Sequence, residues 1–251
     1  VIGLALSSGS FARGAAQDPP GTFSILGFDP ETGEIGAAVQ SRVFSVGNGV
    51  LWAEAGVGAV ATQAIVDVSY GPQGIALLKL GYSPATIIKT ILDADPDPGY
   101  RNQRWQKAGR QFAVMNAKGE LAAHTGPEAS AWAGDKQGRF CTAQGNILAG
   151  PEVVAKMVEA FETSEKDAQG QRNHLAKRLV AALEAGQAAG GDKRGQQSAA
   201  LLVVKKDGGV WLHNDVVLRL QVDDNPQPIA ELKRLVERGL PGQRGRGRGG
   251  E

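Results

Sequence analysis

The stretch PPGTFSI, Pro19–Ile25, decides how the chain is read. Pro19 and Pro20 fix two φ angles, and Gly21 frees the backbone that follows. From Thr22 the sequence turns β-rich, with Phe23, Ile25, Leu26 and Phe28 supplying apolar bulk. A Gly21–Thr22 junction opening a first strand fits a threonine nucleophile whose amino group is still masked by a leader. The same letters also fit an ordinary linker-to-strand boundary.

Upstream, VIGLALSS is a short apolar run followed by small residues, like the rear half of a secretory signal peptide without its Met or basic region. Gly14 and Ala16 suit a cut after Ala16. Residues 1–18 therefore read as a leader, and the chain as exported to the periplasm or beyond. A leader without signal function would leave it cytoplasmic. The run is too short to span a bilayer, and no other stretch approaches spanning length, so no membrane is expected in the mature form. Residues 19–240 read as one domain and 241–251 as a disordered Arg/Gly tail.

Downstream of Thr22, two β-prone runs flank DPETGE, a turn built from Asp29, Pro30 and Gly33, which predicts a hairpin over Thr22–Phe28 and Ile35–Ser41. Leu51–Ala55 and Val57–Ala64 follow as strands. Two short helices come next, the second opened by Ser83-Pro84. Further strands are expected at Gln111–Met115, Glu120–Thr125 and Phe140–Gln144. A helix opened by Pro151 and another from His174 to about Gln187 follow. Strands at Ala199–Val204, Val210–His213 and Val216–Val222 precede a last helix over Pro226–Gly239. Strands arriving in hairpins exclude a doubly wound parallel sheet and predict an α+β fold of two mostly antiparallel sheets covered by helices.

Composition narrows the chemistry. A net charge of +1 over 251 residues is no electrostatic footprint for nucleic acid, and the arginines Arg244, Arg246 and Arg248 carry no specific recognition. One cysteine, Cys141, excludes an internal disulfide framework. His124, His174 and His213 are scattered, with no spacing for zinc, so neither metal nor cofactor is expected. GVGAVA at 56–61 spells part of a dinucleotide fingerprint, but it lies in a strand and opens no helix. Gly190–Ser198 spaces its glycines like a phosphate loop, with Gln196 where lysine must stand.

What remains is a set of polar clusters at strand ends: Ser41-Arg42, Gln63, His124-Thr125, Gln144-Gly145-Asn146, and the GGDKRGQQS run ending in Ser198. Turns and caps explain such residues singly. Together with Gly21–Thr22 they are candidates for one site.

The runs TFSILGFDPETGEIGAAVQSRVFSVG, AGVGAVATQA, SYGPQG, AQGNILAGPEV and LEAGQAAGGDKRGQQSAALLVV resemble a bacterial family of unknown function within the N-terminal-nucleophile (Ntn) hydrolase superfamily. The likeness covers about Thr22–Leu235. It implies a four-layer αββα sandwich and an amidohydrolase or peptidase chemistry with Thr22 as nucleophile, once cleavage at Gly21 frees its amine. That α-amino group, with an ordinary pKa of about 7.7–8.0, would be the base. Asn146, or backbone N–H groups near Gly145, would hold the oxyanion. Arg42 would bind a substrate carboxylate or depress the amine pKa. Asp192 and Ser198 resemble the Asp and Ser that orient the threonine amine in proteasome-type subunits. Ser41, Gln63, His124 and Gln144 are assigned to substrate binding, the partner being a small-molecule or peptide amide, with a homo-oligomer left open. The competing reading is a non-catalytic exported binding or assembly protein that keeps the fold.

Overall fold

A computed structural model describes residues 21–100 and 105–240. The leader at 1–18, its cut after Ala16 and the tail at 241–251 lie outside the described residues. Strand β1 (Thr22–Asp29) pairs antiparallel with β2 (Glu34–Ser41), in register from Thr22 opposite Ser41 to Asp29 opposite Glu34. The turn forms as its residues dictate. Asp29 Oδ1 accepts from the amides of Glu31 at 3.0 Å and Thr32 at 3.3 Å, and Gly33 supplies a φ of 73°.

Among the described residues, two antiparallel sheets and five α-helices make up the α+β fold. The six-stranded sheet runs β10-β9-β2-β1-β8-β7, with β7 at Gly134–Gly138, β8 at Cys141–Asn146, β9 at Ser198–Val204 and β10 at Val216–Val222. The four-stranded sheet runs β3 (Leu51–Glu54), β4 (Gly58–Ala64), β5 (Arg110–Asn116), β6 (Leu121–Thr125).

Side chains alternate across each strand and so feed three separate cores. From β1, Phe23 and Ile25 pack under α3 (Glu152–Thr163), α4 (Leu175–Ala188) and α5 (Pro228–Gly239). Leu26 and Phe28 enter the space between the sheets, against Ala59, Ala61 and Met115 of the other sheet. Beyond that sheet, Val60, Phe112 and Val114 pack with α1 (Tyr70–Lys79) and α2 (Pro84–Ala94). Phe23, Ile25 and Leu26 have no exposed surface, and burial of each contributes about 1.5–3 kcal/mol. The α3 helix sits so close to β1 that a Cβ on Gly27 would lie 2.6 Å from the Phe161 ring.

The structure departs from expectation in places with identifiable causes. Strand β7, GDKQG, carries no apolar alternation because it is an edge strand facing solvent. Val210–His213 is not a strand: Trp211 and His213 have positive φ (72° and 59°), and Trp211 is 84% exposed. The helix expected from His174 begins at Leu175, and His174 caps it, its Nδ1 accepting from the Ala176 amide at 3.1 Å.

Candidate active site

Because β1 pairs with β2 on one side and β8 on the other, Thr22 lies opposite both Ser41 and Asn146, and Ser41 in turn lies opposite Ser198. Period-two alternation turns all four side chains toward the inter-sheet space. One transverse row of hydroxyls and an amide thus stands at the end of the sheet, while Leu26, Ala37 and Leu202 occupy the same face further along.

Thr22 is 3% exposed, and its Oγ1 lies 2.9 Å from Ser41 Oγ. Ser41 Oγ donates its single proton to the Gly21 carbonyl at 2.6 Å. The Thr22 hydroxyl must therefore be the donor to Ser41. The Gly21 carbonyl receives a second donor, Arg194 Nη2, at 2.8 Å. Asp192, buried, grips that guanidinium with both oxygens, Oδ1 to Nε at 3.1 Å and Oδ2 to Nη2 at 2.7 Å. Such a fork holds Arg194 in one orientation. The peptide carbonyl before Thr22 is thus polarised by a hydroxyl and a fixed cation. Only glycine fits at 21, since a Cβ there would lie 2.8 Å from Asp192 Oδ2 and 2.9 Å from Ile147 Cβ.

Three non-glycine residues with left-handed backbone flank this point: Ser45 (φ 53°), Ala64 (φ 66°) and Ile147 (φ 54°). For β-branched Ile147 the conformation is strongly disfavoured, and such strain costs on the order of 1–3 kcal/mol. It is held by backbone bonds from Ile147 N–H to Ser130 O at 3.1 Å and from Lys193 N–H to Ile147 O at 3.1 Å.

Behind Thr22 the inter-sheet space is filled by carboxamides. Gln63 Nε2 donates to Gln111 Oε1 at 2.9 Å and reaches the carbonyls of Gln144 at 3.2 Å and Thr22 at 3.4 Å. Gln144 Nε2 donates to Ser24 Oγ, which donates on to Gln63 Oε1, both at 2.6 Å. Asn146 Nδ2 donates to Gln111 Oε1 at 3.1 Å. In front, Thr22 floors a cavity of about 190 Å³ walled by Val43, Phe44, Val46, Val50, Ala64 and Val66. No charged side chain among the described residues lines it.

The structure brings together Gly21, Thr22, Ser41, Gln63, Gln144, Asn146 and Asp192. It places three other candidates differently. Ser198 Oγ donates to Val43 O at 2.5 Å and accepts from the Val46 amide at 3.1 Å, so it pins the loop that walls the cavity. Arg42 is exposed, its Nη1 bonded to Gln197 at 3.1 Å. His124 faces the other side of its sheet, against Phe112, with ring centroids 6.0 Å apart. Two residues of the site were not singled out from the sequence, Arg194 and Gln111. The Asp-x-Arg spacing inside GGDKRG was the signal for the first. A glutamine on the same face as Ala113 and Met115, in an otherwise apolar strand, was the signal for the second.

Burial holds the His124 pKa below its ordinary 6.5, with Asp135 only partly opposing. The unfolded chain then takes up this proton more readily than the folded one. The stability at stake is present above the unfolded pKa and lost as pH falls below it. An NMR titration of the His124 ring is expected to give a midpoint under 6.5, and His124→Gln to leave any hydrolysis within about twofold, the range of a surface change well away from the chemistry. A midpoint above 6.5 would mean a charged partner faces the ring.

Residues 22–232 match a family described only as a family of unknown function, DUF1028. The chain is also similar to protein SPO2555 from Silicibacter pomeroyi, whose crystal structure is assigned to the same family. The two are 31% identical and superpose with a TM-score of 0.75 over 89% of this chain and 88% of that one. No curated protein matches. The chain belongs to the DUF1028 family.

Proposed function

We propose that the chain is an amide hydrolase of the Ntn type, with Thr22 as nucleophile after release from Gly21. The observation that carries this reading is the hydroxyl relay Thr22–Ser41–Gly21 carbonyl, with Arg194 on the same oxygen. Helices on both outer faces of two stacked sheets support the αββα sandwich expected of that superfamily. The start of the family match at Thr22 supports the residue.

Release follows from the same groups. Thr22 Oγ1 attacks the Gly21 carbonyl carbon while Ser41 and Arg194 take up the charge developing on its oxygen. The C–N bond to Thr22 breaks, the hydroxyl proton passes to the departing nitrogen, and an ester joins Gly21 to Oγ1. Water hydrolyses that ester to a Gly21 carboxylate and a free Thr22. The liberated amine then serves as base for attack on an external amide, with Asn146 or the amides near Gly145 facing the oxyanion. The second reading, a non-catalytic binding protein, is favoured by the two donors that fully satisfy the Gly21 carbonyl in the uncut chain.

The test is intact-mass analysis of the purified full-length chain over time. A fragment beginning at Thr22, formed at a rate independent of protein concentration and slowed at least tenfold in Arg194→Ala, is expected, since one oxyanion donor is worth roughly 100-fold or more. A chain that stays joined at Gly21–Thr22 and hydrolyses no amide even when produced with Thr22 as first residue would leave the binding-protein reading in its place.

A further inference from the structure

A second cavity, of about 460 Å³, adjoins the one at Thr22, and Val66 is in the wall of both. Its other walls are Val68, Pro98, Tyr100, Trp105 and Arg110. Tyr100 and Trp105 set their ring centroids 5.3 Å apart, and Trp105 is fixed by a bond from Nε1 to Val66 O at 2.6 Å. The result is a flat aromatic wall beside aliphatic side chains.

Arg110 braces the wall of this cavity. The residue is 1% exposed, yet its guanidinium is only partly used. Nε donates to Asp95 Oδ2 at 3.1 Å, and Nη1 donates to the carbonyls of Ile65 at 2.7 Å and Trp105 at 2.9 Å. Nη2 has no hydrogen-bond partner among the described residues. With essentially no exposed surface, Nη2 is closed off from the cavity, and Arg110 acts as a brace that ties Ile65 and Trp105 to Asp95. Asp95 also accepts from the Tyr70 hydroxyl at 2.5 Å, so the cation is already neutralised by a fixed carboxylate. Asp67, at the same cavity, turns Oδ1 to the amide and hydroxyl of Ser69 at 2.9 Å and 2.7 Å.

We infer that the two cavities are consecutive subsites for one peptide-like substrate. The residue whose carbonyl Thr22 attacks places an apolar side chain in the smaller cavity. A neighbouring residue lays an aromatic side chain between Tyr100, Trp105 and Val68. This rests on the reading of Thr22 as nucleophile for the direction of cleavage, but not for binding. It narrows the small-molecule or peptide amide expected from the sequence to a substrate carrying two adjacent apolar groups.

The experiment separates the two claims by measuring binding without turnover. Full-length Thr22→Ala protein is titrated calorimetrically with N-acetyl-Leu-Phe-amide, N-acetyl-Leu-amide and N-acetyl-Leu-Lys-amide. The Leu-Phe compound is expected to bind at least tenfold more tightly than the other two. Val68→Trp, which fills the second cavity from its exposed rim, and Trp105→Ala are each expected to remove that tenfold advantage and leave N-acetyl-Leu-amide unchanged. Thermal melts of both variants check that the fold is retained, and Val68→Trp, which leaves the core untouched, decides if Trp105→Ala unfolds. Equal binding of the three compounds, or a Leu-Phe advantage that survives Val68→Trp, overturns the subsite. Selective binding with no cleavage of the Leu–Phe bond of N-acetyl-Leu-Phe-amide, followed by mass spectrometry, in protein beginning at Thr22 would instead retain the subsite and reject Thr22 as nucleophile.

Discussion

Thr22→Ala is expected to lower amide hydrolysis by about 10,000-fold or more, the scale on which loss of a nucleophile is felt in hydrolases. The substitution removes Oγ1 and nothing else of chemical consequence. It leaves Arg194, Asp192 and the cavity walls in place, so ground-state binding persists. It costs one buried hydrogen bond, to Ser41, worth about 1 kcal/mol, and the protein still folds. Thr22→Ser keeps the hydroxyl and its bond to Ser41, and is expected to retain activity within about 100-fold, far above the alanine variant. The measurement is hydrolysis of an N-acetyl-leucine p-nitroanilide by each variant, paired with its intact mass. An alanine variant within tenfold of the parent would remove Thr22 from the chemistry.

Gln111→Leu is expected to cost about 3–5 kcal/mol of folding stability, among the largest effects available to a single substitution here. Gln111 is fully buried between the sheets. Its Oε1 accepts from Gln63 and Asn146, and its Nε2 serves Thr125 Oγ1 at 3.0 Å, Gly134 O at 3.2 Å and Gly145 O at 2.8 Å. Leucine fills the volume but strands those groups, and each unsatisfied one costs about 1–3 kcal/mol. Networks of this kind fail together, because each amide is oriented by the next. Asn146 would lose the acceptor that fixes it beside Thr22, so activity is expected to fall along with stability. Urea unfolding followed by circular dichroism gives the number, and a loss under 1 kcal/mol would show that the carboxamides are not mutually dependent.

The hairpin 22–41 was legible because local chemistry decides it: alternating apolar residues, then an Asp-Pro turn with glycine at the position that needs positive φ. The same holds for α2, whose Ser83 accepts from the Thr86 amide at 3.3 Å ahead of Pro84. Where context decides, the letters fall short. Strand β7 exists because β8 offers it an edge, and its own residues are indifferent. VWLHN at 210–214 has strand-like composition, but the left-handed turns at Trp211 and His213 prevent pairing. At the site, Ser41, Gln63, Gln144 and Asn146 were readable as polar residues closing strands, and Thr22 as one opening a strand. His124 shares that description, and only the facing of its side chain separates it. Arg194 was hidden because a cation in a glycine-rich loop looks solvated, and its value lies in a carbonyl 173 positions earlier in the chain.

A protein's first residue ordinarily frays, because nothing upstream restrains it. Thr22 is hemmed between β2 and β8, in the middle of a six-stranded sheet. A chain cut before Thr22 would therefore begin with a residue paired to a strand on each side, and the new end would inherit its orientation from those neighbours. The pleat also sets a reading frame for that end. A start one residue later would present Phe23, which points into the helical core, and a start two residues later would present Ser24, already committed to Gln63. Of the first three residues of β1, Thr22 alone combines a hydroxyl, the inter-sheet face and a place at the cavity floor.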